Sequence, residues 1–315
     1  MSGIKIRGTG SAVPAKTVTN ADLSRMVDTD DGWIVSRTGI RERRHCRGET
    51  HLELCGSAAR KALEMAGAEP SEIGVCIVAT LSPDQFTPAA ACLLQRDLGL
   101  AEDTICFDLN AACSGFLFAL HTAERLLGAS SRKLGLVVGG EVLSKLMDFT
   151  DRSTCILFGD GAGAAVVEFR EDWPSISAVL GVRGNYPVLN IPGAGGAEPS
   201  YIHMEGQAVY KFAVETVPKC IGAVLEKSGH AMEDIDEFVL HQANERIIDA
   251  AVRRCHLPPE KCYKNVARYG NTSSASVAIA LDELVRLGRL GPGKRALCVG
   301  FGGGLTWAGA VIEFT

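Results

Sequence analysis

The stretch Thr104-Ile-Cys-Phe-Asp-Leu-Asn110-Ala-Ala-Cys113-Ser-Gly-Phe116 changes its periodicity part-way through. Apolar residues recur at Ile105, Phe107 and Leu109, the period of two that marks a strand. From 116 to 127 the chain is apolar nearly all round and stops at Gly128, which predicts a buried helix ending on glycine. A strand feeding a buried helix is the working unit of an α/β fold. Small Ala111, Ala112, Ser114 and Gly115 leave the junction uncrowded around the thiol of Cys113. Unpaired N–H groups of the helix's first turn would face that sulfur and favour its thiolate, which with a pKa of about 8.5 is otherwise only ~3% populated at neutral pH. A buried, inert cysteine suits the same setting.

Working outward, the pattern is written twice. Phe158-Gly-Asp-Gly, followed by Ala162-Gly-Ala-Ala-Val-Val-Glu-Phe169, returns as Phe301-Gly-Gly-Gly, followed by Ala308-Gly-Ala-Val-Ile-Glu-Phe314. Glu72-Ile-Gly-Val-Cys-Ile-Val-Ala79 corresponds to Asp234-Ile-Asp-Glu-Phe-Val-Leu-His241. The segment from Cys113-Ser-Gly-Phe to Gly128 parallels that from Asn271-Thr-Ser-Ser to Gly288. These matches predict a duplication about a pseudo-twofold axis, with the two helix N-termini meeting near the centre and Cys113 opposite Asn271. Helices are expected at 58–65, 209–227 and 245–255, and strands at 74–79, 134–139, 237–240 and 296–300. The region 181–206, with Pro187, Pro192 and Pro199, reads as an irregular connection that either covers a site or is a plain surface linker. The expected halves are 1–170, carrying Cys113, and 171–315, carrying His241 and Asn271.

Composition narrows the function classes. At 315 residues and 46% apolar the chain can bury a large core, and a net charge of −5 argues against general nucleic-acid binding. No signal-peptide pattern follows Met1 and no apolar run is long enough to span a bilayer, so a cytoplasmic protein without a membrane partner is expected. Eleven cysteines, an odd number without CxxC pairs, suit reduced thiols. His45, Cys46, His51 and Cys55 fit no usual zinc spacing and sit among Arg41, Arg43, Arg44 and Arg47, so no metal is expected there.

Two further positions carry chemistry. His241 ends a short strand in Phe238-Val-Leu-His241-Gln-Ala-Asn244, and Asn244 is placed to cap the helix that follows. Asn271 stands at a helix start in Tyr269-Gly-Asn271-Thr-Ser-Ser-Ala-Ser, where a simple N-cap is the bland alternative.

Asn-Ala-Ala-Cys113-Ser-Gly-Phe, His241-Gln-Ala-Asn, Gly-Asn271-Thr-Ser-Ser-Ala-Ser and Phe301-Gly-Gly-Gly together resemble the signature set of β-ketoacyl-acyl-carrier-protein synthase III. The resemblance runs end to end, taking in Asp31-Gly-Trp33-Ile-Val-Ser-Arg37-Thr-Gly-Ile-Arg-Glu-Arg43 and Leu157-Phe-Gly-Asp-Gly-Ala-Gly-Ala-Ala. It implies a thiolase-like fold, an α/β architecture of two duplicated halves packed as a five-layered αβαβα sandwich, and a homodimer paired through the strand before Cys113. It also implies a catalytic triad of Cys113, His241 and Asn271, with an oxyanion hole from the N–H groups of Cys113 and Gly303. Cys113 would take acyl from acyl-CoA and pass it to malonyl-acyl carrier protein after decarboxylation, with no metal or redox cofactor.

By the same match, Trp33 and Arg152 would hold the CoA adenine, Arg37 its phosphates, and Asn244 and Phe301 the pantetheine. Gln242, Arg246, Arg253, Arg254 and Lys211 are the expected carrier-docking residues. Thr87 falls where the family shapes its acyl pocket, and a shift of one residue would put Phe86 there instead. A non-decarboxylating thiolase is disfavoured because Phe301, not cysteine, precedes Gly302. A secondary-metabolism ketosynthase or acyltransferase of the same fold remains open, and so, in a different class, does a non-catalytic scaffold.

Overall fold

A computed structural model describes residues 2–193 and 200–315, so Pro199 lies outside the described residues. Strands Gly3–Ala12, Gly161–Arg170, Leu134–Glu141, Ile73–Ala79 and Ile105–Leu109 form one sheet in that spatial order, the first two junctions antiparallel and the last two parallel. The second sheet sets Val179–Val182, Thr306–Glu313, Arg295–Gly302 and Glu237–Leu240 side by side with the same sequence of directions. A single parallel bridge, Phe238 to Cys262, stands where its fifth strand would be. The duplication is therefore a repeated strand order as well as a repeated motif.

Helices His51–Ala66 and Ala90–Leu98 cover the outer face of the first sheet, and Gly206–Ser228 and Glu245–Cys255 that of the second. Helices Gly115–Ala129 and Ala275–Arg286 lie between the sheets, completing five layers. Sheets buried on both faces need apolar residues at every position, and the strand Ile73–Ala79 shows how they divide. Val75, Ile77 and Ala79 join the central core, whereas Ile73, Cys76 and Val78 pack under the outer helices.

Most expected elements stand within a few residues of their sequence positions. The helix expected at 58–65 starts earlier, at His51, because Thr50 and Glu53 form a reciprocal cap ahead of its apolar stripe. The strand before Cys113 is an edge strand with Ile105 44% exposed, not a buried one. In the described part of 181–206, only short pieces of structure form, including Val179–Val182, Tyr186–Val188 and His203–Met204.

The register of the repeat needs correction. Asn110 Oδ1 accepts from the Ala112 N–H at 3.1 Å, and Asn271 Oδ1 from the Ser273 N–H at 2.8 Å. Ala112 and Ser273 both take left-handed φ values, 47° and 48°. The Ser114 N–H reaches the Ala111 carbonyl just as Ala275 reaches Thr272. Asn271 is thus the counterpart of Asn110, and the counterpart of Cys113 is Ser274. The two turns align three residues away from their polar residues because the turn's geometry, not its composition, is what repeats.

The central helices lie unusually close to the first sheet. A Cβ at Gly139 would stand 2.4 Å from the Ser274 carbonyl oxygen, and one at Gly163 would stand 2.7 Å from the Ala278 carbonyl carbon. Gly139→Ala is expected to push the start of helix Ala275–Arg286 off the sheet and cost about 1–3 kcal/mol, read as a lower urea midpoint.

Candidate active site

Cys113 is 8% exposed and sits in the single helical turn Ala112–Ser114 that leads into the central helix. The left-handed Ala112 makes the chain reverse sharply, so the strand end and helix start meet at the sulfur. Ser114 Oγ lies 2.8 Å from Thr306 Oγ1, and that hydroxyl is also 3.0 Å from the carbonyls of Ala111 and Gly303. The turn from Gly302 to Gly304 is thereby tied to the turn that carries Cys113. A Cβ at Gly302 would stand 2.7 Å from the Cys113 nitrogen and 3.2 Å from its Sγ, so only glycine lets this strand end touch the cysteine.

The neighbouring parallel strand Glu237–Leu240 leads into His241. Its N–H donates to the Val299 carbonyl at 2.8 Å, and its ring meets Phe301 edge-on with centroids 5.1 Å apart. His241 Nδ1 faces Ser276 Oγ at 2.6 Å. Ser276 lies in the first turn of helix Ala275–Arg286, and the turn before it begins at Asn271 and carries Ser273, whose hydroxyl acts to lower the pKa of the Cys113 thiol. Cys113 and Ser273, of the turn that begins at Asn271, border one cavity, His241 meets the helix that follows that turn, and Cys113, His241 and Asn271 are all buried. Asn271 is fixed by its backbone, which exchanges hydrogen bonds with Leu157 and Gly159.

Burial governs the site's electrostatics. It pushes the Cys113 thiol up to about 12, with the nearby Glu141 charge adding to the rise and the Ser273 hydroxyl opposing it. It pushes His241 down to about 3, so the imidazole is neutral across the working pH range. Among the described residues no group of three or more His, Cys, Asp or Glu is placed to hold a metal ion. His45 and His51 instead set Nε2 against the carbonyls of Phe158 and Gly140.

A cavity of about 1020 Å³ opens from Cys113, with an apolar wall that includes Leu81, Leu143, Leu146, Leu189 and Ile202. Gly303 and Ser273 also border it. Phe86, 83% exposed, reaches this wall, and Thr87 does not. Within this chain, then, the alternative register is the one that meets the cavity. Trp33 carries two guanidiniums, Arg37 with Cζ 4.4 Å and Arg152 with Cζ 4.8 Å from the ring centroid. Asn244 caps its helix through the Arg246 N–H and donates to the Arg37 carbonyl at 2.9 Å, joining this group to the strand end of His241.

Arg246, Arg253 and Arg254 are exposed on helix Glu245–Cys255. Lys211 is exposed on the adjoining helix Gly206–Ser228, where Arg246 stacks on Tyr210 and Arg254 donates to the Val214 carbonyl. Gln242 is a correction. It is 1% exposed, its Nε2 lies against the carbonyls of Leu240 and Tyr263, and its Oε1 accepts from Asn265 and Val266. With its amide committed to backbone, it holds the loop leading to Asn271 and has nothing to offer a partner.

Models of two parts of one family match the chain: the 3-oxoacyl-[acyl-carrier-protein] synthase III model over residues 107–184 and its C-terminal model over 225–314. The β-ketoacyl-[acyl-carrier-protein] synthase III of Clostridium acetobutylicum is 46% identical over the whole of both chains. The crystal structure of 3-oxoacyl-[acyl-carrier-protein] synthase III from Aquifex aeolicus superposes with a TM-score of 0.93 at 41% identity, covering 99% of this chain and 100% of that one. The priming β-ketosynthase of the R1128 polyketide pathway superposes equally well, with a TM-score of 0.93 at 37% identity, over 99% of this chain and 96% of that one. This chain belongs to the 3-oxoacyl-[acyl-carrier-protein] synthase III family. Its fold is the thiolase-like fold of that family.

Sequence reasoning missed Thr306, Ser273, Ser276 and Glu141 as parts of the site. Only Glu141 carried a signal, an acid at the end of the otherwise apolar strand Leu134–Glu141.

Two outcomes follow from the geometry. Gly302→Ala is expected to displace the Cys113 amide and cut acylation of Cys113 by at least ~10-fold, measured as mass gain of the protein on incubation with acyl-CoA. For His241 the folded-state value lies below the unfolded one, so the unfolded chain takes the proton first. Its contribution is complete above about pH 6.5 and is lost toward pH 3 at about 1.4 kcal/mol per pH unit. The urea midpoint of His241→Gln should therefore fall less steeply than that of the wild type between about pH 6.5 and 4.

Proposed function

We propose that this chain catalyses the decarboxylative Claisen condensation of an acyl-CoA primer with malonyl-acyl carrier protein. The product is a β-ketoacyl-acyl carrier protein, the first intermediate of fatty-acid biosynthesis. The observation that carries this reading is a buried thiol in the turn before a central helix, bordering an apolar cavity together with Ser273 of the turn that begins at Asn271. Cys113 attacks the primer thioester, expels CoA and holds the acyl group as an enzyme thioester. The N–H groups of Cys113 and Gly303 receive the oxyanion of that step.

Decarboxylation of the malonyl group leaves an enolate, which needs donors but no further charge. With the Ser276 hydroxyl donating to Nδ1, the neutral His241 keeps its proton on Nε2 and offers it to the enolate oxygen. The Asn271 amide is the second donor, and the carbanion then attacks the acyl group on Cys113. No metal or redox cofactor enters these steps. The halves 1–170 and 171–315 divide the labour, the first supplying the nucleophile and the second the two donors.

Coenzyme A would lie along Trp33, Arg37 and Arg152, with pantetheine passing Asn244 and Phe301. An aromatic ring with guanidiniums on it suits a purine and phosphates, and Arg152 would lift from Trp33 to admit the adenine. Phe86, in place of Thr87, would shape the acyl end of the cavity. Arg246, Arg253, Arg254 and Lys211 form the cationic face for an acidic carrier protein. The half-exposed edge strand Ile105–Leu109 is the natural seam of a homodimer. The described helices include none long and apolar enough to cross a membrane, which supports a cytoplasmic enzyme.

The full-length likeness to a polyketide-priming β-ketosynthase favours one second reading, the same condensation serving a secondary metabolite. Product mass with a panel of acyl-CoA primers and malonyl carriers tests both. A β-ketoacyl carrier is expected, and an acylated enzyme that releases none would overturn the condensation. Asn271→Ala is expected to accept acyl on Cys113 near the wild-type rate while losing decarboxylation by ~100-fold, and equal loss of both half-reactions would refute its role. Arg246→Glu with Arg253→Glu should raise KM for the carrier substrate about tenfold and leave acyl-CoA transfer unchanged.

A further inference from the structure

Behind the nucleophile lies a carboxylate that the condensation does not use. Glu141 is buried at the end of strand Leu134–Glu141, and among the described residues no cation is bonded to it. Its Oε2 lies 3.2 Å from Thr80 Oγ1, 3.1 Å from the Leu81 nitrogen and 2.5 Å from Ser82 Oγ. Its Oε1 lies 3.1 Å from Ser273 Oγ and 2.9 Å from Ser274 Oγ. One oxygen is thus held by the first half of the chain and the other by the serine turn of the second. Ser273 borders the same cavity as Cys113 and its hydroxyl is bonded to Glu141, so Ser273 stands between the cavity that holds the sulfur and the carboxylate.

We propose that Cys113 and Glu141 share one proton through Ser273, and that Glu141 is the internal acceptor of the thiol proton when the acyl-enzyme forms. The S–H bond of Cys113 breaks as its proton passes to Ser273 Oγ. The Ser273 hydroxyl proton passes in the same step to Glu141 Oε1, giving a thiolate and a neutral carboxyl. The thiolate forms the C–S bond to the acyl carbon, the C–S bond to CoA breaks, and the proton returns through Ser273 to the departing CoA sulfur.

The physical reason is charge. Ionising the thiol to solvent beside a buried carboxylate would put two negative charges in one dry pocket. Passing the proton between them keeps the total at one. Burial and the Glu141 charge raise the first route's cost, pushing the thiol to about 12, and burial also raises Glu141, which makes it a better acceptor. The other titratable groups within electrostatic reach of Glu141 are His51 and Cys55 on helix His51–Ala66. The strands and turns packed against it otherwise present hydroxyls and backbone. His241 is the poorer acceptor, since it is held neutral by burial and its Nδ1 is engaged by Ser276. In this scheme Ser273 hands the proton on, and Glu141 is the positioning residue that acts through it.

The acyl-transfer half of this inference rests on the function proposed above, and the proton couple does not. Iodoacetamide alkylation of Cys113, located by peptide mass, reads thiolate without any substrate. In the wild type its rate should stay nearly level between about pH 6 and 8, because the shared proton never leaves the pair. In Glu141→Gln, and independently in Ser273→Ala, it should rise about tenfold per pH unit, because the proton must then go to solvent. Acylation by acyl-CoA should drop at least ~10-fold at pH 7 in both variants and recover as pH rises. Parallel slopes in all three proteins would overturn the couple. So would faster neutral-pH alkylation in Glu141→Gln than in the wild type, which would make Glu141 a repelling charge only. A level wild-type alkylation profile in a protein that no acyl-CoA acylates would uphold the couple and refute the condensation.

Discussion

The structure depends on how closely two helix starts can be pressed between two sheets. Helices Gly115–Ala129 and Ala275–Arg286 occupy the central layer, and their first turns carry Cys113 and the serine turn. Gly139 and Gly163 let the second helix touch one sheet, and Gly300 and Gly302 let the cysteine turn touch the other. Any Cβ at these points would meet backbone, which has nowhere to go in a layer packed on both sides. The many glycines of the chain are partly explained by this requirement.

Close packing then decides the chemistry. A thiol, an imidazole and an amide placed in so dry a pocket cannot rely on solvent for protons or charge. The imidazole is held neutral by burial. The thiol is costly to ionise alone, and the hydroxyls of Ser273, Ser274 and Ser276 become the means of distributing hydrogen bonds. Glu141 joins the halves from beneath, so the element that fixes the interface also sets the electrostatics at the sulfur.

The duplication explains why the site sits at the centre. Each half contributes a strand, an Asx turn with a left-handed residue, and a buried helix. In one half the turn presents Cys113, and in the other its counterpart is Ser274, whose hydroxyl bonds to Glu141. Divergence between the halves has left a thiol at one turn and a hydroxyl at the other.

The sequence by itself determined the α/β class, the duplicated halves, the strand before Cys113 and the helix after it, because these follow from local periodicity and repeated motifs. It also singled out Cys113, His241 and Asn271, whose neighbours form recognisable patterns. Tertiary structure decided the rest. The true register of the repeat lies in backbone turns, which composition does not encode. Gln242 looked available beside charged neighbours, but only the fold turns its amide onto Leu240, Tyr263, Asn265 and Val266. Phe86 and not Thr87 meets the cavity because the path of the loop settles which neighbour faces inward. Glu141 and Ser273, 132 residues apart, become partners only when the halves close. Contacts so distant in sequence leave no periodic trace, since they depend on how layers stack rather than on how any one segment folds.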